Sequence, residues 1–215
     1  MRTLGGNEHP NEHFADGIIH LLGVVGSLAA AGALLFYAKA SLADSSVPPL
    51  IIYCVGLIAT FVFSAAYNMT MHPGTKAIFQ RLDHSAIFIM IAGTYTPLAL
   101  IGIGGGWGDF LAIAVWVIAA VGVFIKLFYC EQAKRLSLFL YLGQGWLAVI
   151  AIKPMFESLS LYTFTLIALG GLIYTLGVIF YRRDDWRYNR AIWHSFVLVA
   201  ASIHYVAVLD IAQIT

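Results

Sequence analysis

Apolar residues fall along this chain in seven long blocks, at about 14–38, 47–69, 78–103, 109–129, 136–156, 162–181 and 191–211, separated by short polar turns. Each block reaches the roughly 20 residues that an α-helix needs to cross ~30 Å of hydrocarbon at ~1.5 Å per residue. The pattern predicts an all-α, seven-transmembrane helix bundle. Connections such as GGGWG at 104–108 leave room only for antiparallel sequential neighbours, so residues 1–215 read as a single membrane domain with a polar tail at 1–13. That tail lacks the basic and apolar regions of a secretory signal, and the first block is expected to act as an uncleaved anchor.

Composition agrees with the pattern. The chain is 60% hydrophobic and 11% charged, against about 25% charged for a soluble domain, and its mean hydropathy is +0.84. A net charge of +1 with no basic stripe argues against a nucleic-acid partner, because nothing is arranged to neutralise phosphates. Cys54 and Cys130 lie inside one apolar block and at the end of another, which suggests neither a disulfide framework nor a thiolate metal site.

The basic residues orient the bundle. Arg2, Lys76, Arg81, Lys126, Lys134, Arg135, Arg182, Arg183, Arg187 and Arg190 all fall on the side of the N-terminus, and only Lys39 and Lys153 fall on the other. Cytoplasmic loops carry the excess of Lys and Arg, so the N-terminus is expected to be cytoplasmic and the C-terminus extracytoplasmic. The run YRRDDWRYNR reads as an interfacial basic loop near anionic headgroups.

With that orientation, the polar residues inside the blocks converge. The second helix ends, and the third and seventh begin, on one side. Ser64 with Asn68, Asp83 with His84, and Arg190 with His194 therefore share one depth, and Asp16 with His20 in the first helix sit at that level too. Intramembrane Asp and His are costly and usually face the bundle interior. Such a layer is either a functional site or a polar network that fastens helices together. For His20 and His204 taken singly, a hydrogen-bonded packing role is the simpler reading. Adjacent helical positions point about 100° apart, so Asp83 and His84 do not easily face one centre. Neither a phosphate-binding glycine loop nor a GxSxG nucleophile elbow is present.

The segments SAAYN at 64–68, RLDHSAIFIMIAGTYTP at 81–97 and AIWHSFVLVAASIHY at 191–205 resemble the hemolysin III family, the bacterial branch of the progestin and adipoQ receptors, within a wider group that includes alkaline ceramidases. The resemblance covers nearly all seven helices. It implies a cytoplasmic N-terminus, a multi-pass protein of the bacterial inner membrane and, as in characterised relatives, a zinc site just inside the cytoplasmic face. The family pattern is a Ser followed four residues later by His, an Asp in the next helix, and a His-x-x-x-His pair opening the seventh. Ser64, Asp83 and His194 match it. Asn68 and Arg190 stand where two of the three histidines belong.

Those two departures change the expected chemistry. An Asn carbonyl is a poor zinc ligand, and a guanidinium has no lone pair to offer and repels a dication. Zinc is therefore expected to be absent or weakly held; were it bound, His194 would ligate it, with Asp83 acting through water and His72 or His84 within reach. Otherwise Arg190 takes the metal's electrostatic place and pairs with Asp83, because a buried carboxylate needs a partner. Ser64 and Asp83 are the candidate catalytic groups, and Arg190, Asn68 and His84 the candidate substrate-binding groups. The resemblance implies a protein that acts on or responds to membrane lipid, with a fatty acid or ceramide-like ligand. Its alternatives are a zinc-dependent ceramidase-like amide hydrolase and a cytolytic pore, so whether the chain is an enzyme stays open. The orientation is directly testable: a reporter active only outside the cytoplasm, fused after Thr215, is expected to be active, and activity of a cytoplasm-only reporter at that position would reverse the topology.

Overall fold

The computed structural model describes residues 10–130, 132–183 and 185–214; the tail up to His9, with Arg2, lies outside the described residues, as do Glu131, Asp184 and Thr215. Seven apolar helical spans are present among the described residues, each long enough to cross a bilayer. They are α1 (Pro10–Ser41), α2 (Val47–Met69), α3 (Pro73–Pro97), α4 (Gly105–Tyr129), a fifth span made of α5 (Lys134–Gly145) and α6 (Ile152–Ser158), then α7 (Leu161–Tyr181) and α8 (Asn189–Ile214).

Two spans depart from the single helices that hydropathy alone predicts, and proline explains both. A proline has no N–H to donate and its ring clashes with the carbonyl four residues back. Pro97 closes α3, and the chain continues to Ile103 as a wider π-helical turn in which the Gly104 N–H donates to the Ala99 carbonyl at 2.9 Å. In the fifth span Pro154 falls near the start of α6. The break is taken up by a tight 3-10 stretch, Leu147–Ala151, which follows the weak helix former Gly145.

The helices form a ring in chain order, closed where α8 packs against α1, with α3 reaching inward to touch α5 and α8 as well as its neighbours. One half of the core joins Leu34, Leu50, Tyr53, Leu57, Phe61, Met90 and Val208. The other gathers Phe88, Tyr95, Leu98, Leu111, Val115 and Met155 around the opposite side of α3. Large apolar side chains also line the outside, Phe36 at 80% exposure among them, as expected of helices whose solvent is lipid.

Lipid tails are as apolar as the core, so close packing and interhelical hydrogen bonds must hold the ring together. The tightest seam joins α2 and α3. There a Cβ at Gly56 would sit 3.1 Å from the Ile89 carbonyl oxygen, and one at Gly93 would sit 3.3 Å from that of Ile52. Beside it, Thr60 Oγ1 donates to the Gly56 and Ala86 carbonyls at 2.9 and 3.3 Å. On the other side of α3, fully buried Gln144 donates through Nε2 to the Phe88 and Val115 carbonyls, both at 3.2 Å, and Tyr95 donates to the Gly145 carbonyl at 2.7 Å. These contacts pin the broken fifth span to α3 and α4. Gly93→Val is expected to lower stability by about 1–3 kcal/mol through overpacking, whereas Gly32→Ala, whose added Cβ meets nothing within 4 Å, should not lower it. Reversible unfolding in detergent, followed by helical circular dichroism, measures both.

Candidate functional site

At the end of the ring where α1 begins, α2 ends, and α3 and α8 begin, the interior turns polar. Asp16 and His20 lie four residues apart and so share one face of α1, and both are only 4% exposed. That face meets the first turns of α8. His194 Nδ1 stands 2.6 Å from Asp16 Oδ1, the short separation of a charge-assisted hydrogen bond. His20 Nε2 stands 3.3 Å from the other carboxylate oxygen, Oδ2, off hydrogen-bonding geometry, and has no hydrogen-bond partner. The two imidazoles pack against each other with centroids 4.4 Å apart and planes tilted by 52°. One carboxylate thus borders two imidazoles that touch each other.

The third wall comes from α2 and α3. Buried Ser64 neighbours the Asp83 carboxylate, which lies within electrostatic reach of His20 and Asp16. Asn68, one turn beyond Ser64 and buried, donates through Nδ2 to the Ser64 carbonyl at 2.9 Å. Its amide nitrogen therefore serves the backbone of α2. His84 faces elsewhere: Nδ1 lies 3.4 Å from Cys130 Sγ at the end of α4, and the ring meets the edge of Tyr67 at 6.1 Å. Adjacent on α3, Asp83 and His84 look into different neighbourhoods. His72 is further out still, at the N-cap of α3, where it accepts from the Thr75 N–H.

Arg190 opens α8 with an exposed side chain, one turn before His194, and its charge is felt at that imidazole. Ser64 is the polar neighbour of the half-buried Asp83 carboxylate, and the basic groups within electrostatic reach of Asp83 and Asp16 are imidazoles. The pairing of Arg190 with Asp83 expected from the sequence is thus replaced by a Ser64–Asp83 pair beside an Asp16–His194 pair. The reason is geometric. A guanidinium on the first turn of a helix can stretch to the interface, where it stays solvated, whereas His194 one turn deeper cannot. His204, deeper in α8, donates through Nε2 to the Ile167 carbonyl of α7 at 3.2 Å and belongs to helix packing.

The family model for haemolysin-III related proteins matches residues 9–205. The chain belongs to that family. It is 35% identical to Hemolysin-3 of Bacillus cereus over 198 residues, covering 92% of this chain and 90% of the relative. It is 37% identical to the Hemolysin-3 homolog of Bacillus subtilis (strain 168), covering 92% and 93%. A more distant relative, the human monocyte to macrophage differentiation factor, is 32% identical over 163 residues, 73% of this chain and 67% of that protein. Family and spans together make this hemolysin III protein a multi-pass membrane protein.

Zinc, which the resemblance implies, does not fit this chain at the family's own positions. Arg190 brings a positive charge, and the Asn68 amide is engaged with the Ser64 carbonyl. What sequence reading underweighted was the first helix. Asp16 and His20 could be placed at the right depth, but the Asp-x-x-x-His spacing was the signal that both face inward, and only the packing of α1 on α8 shows that they meet His194. Replacing Asp16 by Asn is expected to cost about 1–3 kcal/mol by removing a buried charge-assisted hydrogen bond. Glu12→Gln, which loosens the half-exposed 3.5 Å Glu12–Arg187 contact at the same end, should cost under about 1 kcal/mol. Chemical unfolding of the two variants in one detergent makes the comparison.

Proposed function

We propose that this protein acts on or responds to membrane lipid through the polar layer formed by Asp16, His20, Ser64, Asp83 and His194, on the cytoplasmic side of a bacterial inner membrane. The observation that carries this reading is the placement of the layer: two carboxylates and two imidazoles gathered inside a bundle whose outer faces are apolar, about one turn from exposed Arg190. A fatty acid or ceramide-like lipid offers a headgroup for such a layer and a chain for the lipid-facing helices. Arg190, planar and permanently charged, suits a carboxylate or phosphate at the entrance. Asn68 supports Ser64 from behind, and His84 lines the adjoining α3–α4 side.

Amide hydrolysis is a second reading, favoured by the Ser64–Asp83 pair beside His20, a hydroxyl, carboxylate and imidazole arrangement able to orient a water. The missing family ligands at 68 and 190 weigh against it as a zinc reaction. A cytolytic pore has less support: beyond the polar layer, Leu34, Leu50, Tyr53, Leu57, Phe61 and Phe88 fill the interior with packed apolar side chains.

In proteoliposomes, a photoactivatable fatty acid is expected to crosslink at the start of α1, α3 and α8, competed by unlabelled fatty acid. Arg190→Gln and Asp83→Asn should each weaken capture about tenfold, which corresponds to ~1.4 kcal/mol. Labelling confined to the outer faces and indifferent to both substitutions would overturn the lipid reading. Release of free fatty acid from ceramide by the same proteoliposomes would move the assignment to the hydrolase.

A further inference from the structure

We propose that Asp16, His20 and His194 form a binding site for a divalent transition metal of the zinc class, carried by α1 and α8 instead of the positions at 68 and 190 where the family pattern places its histidines. The donor set comes first. One carboxylate oxygen and one nitrogen from each imidazole lie within 4.8 Å of one another. Carboxylate oxygen and neutral imidazole nitrogen are both zinc ligands, at about 2.0–2.2 Å. The packing of α1 on α8 already holds the three side chains in contact.

The second observation points to a ligand independently of the cluster. His20 Nε2 is buried and has no hydrogen-bond partner, although Asp16 Oδ2 is 3.3 Å away. A buried polar atom left in this state costs about 1–3 kcal/mol, and native structures seldom tolerate it without a reason. It is aimed at the carboxylate with which it would share an ion. A cation between them satisfies both.

Charge supports the same assignment. The Asp16 carboxylate belongs to the cluster itself, and a dication would offset its charge within a low-dielectric bundle. Arg190, whose positive charge is felt at His194, has an exposed side chain. Three protein ligands leave room for a further ligand at the metal. Metal binding here needs no lipid, so this inference and the lipid reading fail separately.

The test uses the full chain purified in detergent, stripped with a chelator and titrated with cobalt(II) and then zinc. One cobalt per chain is expected, with the visible d–d absorption of low-coordinate cobalt and its displacement by zinc. His20→Gln and Asp16→Asn should each weaken binding by about 100-fold or more, the upper end of what even supporting residues of metal sites contribute. Asn68→Ala and Arg190→Gln should not weaken it. If the α1 variants fail to fold, 15N-histidine spectra of the unsubstituted chain keep the test decisive: zinc should shift the His20 and His194 ring nitrogens and leave His84 and His204 in place. Absence of saturable binding to the folded chain, binding that survives His20→Gln, or shifts at other histidines would each overturn the proposal.

Discussion

A carboxylate buried inside a membrane bundle is the constraint on which the rest of this structure depends. Asp16 cannot be left alone there: an unpaired charge in a low-dielectric interior costs several kcal/mol. Beside His20 of its own helix, its shortest contact is supplied by α8, from the far end of the sequence. The 2.6 Å contact with His194 therefore does two things, stabilising the carboxylate and fixing the rotation of α8 against α1 at the closure of the ring. Further along the same seam, Tyr205 donates to the Ala30 carbonyl at 3.0 Å, so the closure is held at two depths.

The remaining helices are set around that closure by different means. Between α2 and α3, small residues bring backbones together; around the broken fifth span, Gln144, Tyr95 and Tyr141 reach to backbone carbonyls, the last donating to that of His84 at 2.7 Å. Because α3 takes part in both halves of the core, the turn that carries Asp83 and His84 is held from two sides. One side presents Asp83 to Ser64 and the α1 residues. The other ties His84 to α4 and α5. Functional chemistry and structural fastening thus occupy adjacent positions of a single helix.

Much of this was legible in the sequence. Seven spans follow from block length and hydropathy, and the depth shared by Asp16, Ser64, Asp83 and His194 follows from antiparallel connectivity. The 100° turn between neighbouring positions already separates Asp83 from His84. The rest depended on quantities that a one-dimensional pattern does not contain. Pro154 is visible, yet the extent of the break depends on how Gln144 and Tyr95 hold the 3-10 stretch. Arg190 and Asp83 look like natural partners by charge, but the choice between guanidinium and imidazole turns on helix rotation and on how far a long side chain can reach water. Family membership fixes the architecture and leaves that choice open, since this chain differs from the family pattern at 68 and 190.

The central claim, that Asp16 and His194 act as one unit closing the bundle and organising its polar layer, is tested most directly by a double-mutant cycle. Unfolding free energies of the unsubstituted chain, Asp16→Asn, His194→Gln and the double variant would be measured in one detergent. The account predicts a coupling energy of about 1–3 kcal/mol, within the range for buried residues in one hydrogen-bonded network. Additive losses, with no coupling between the two positions, would contradict it.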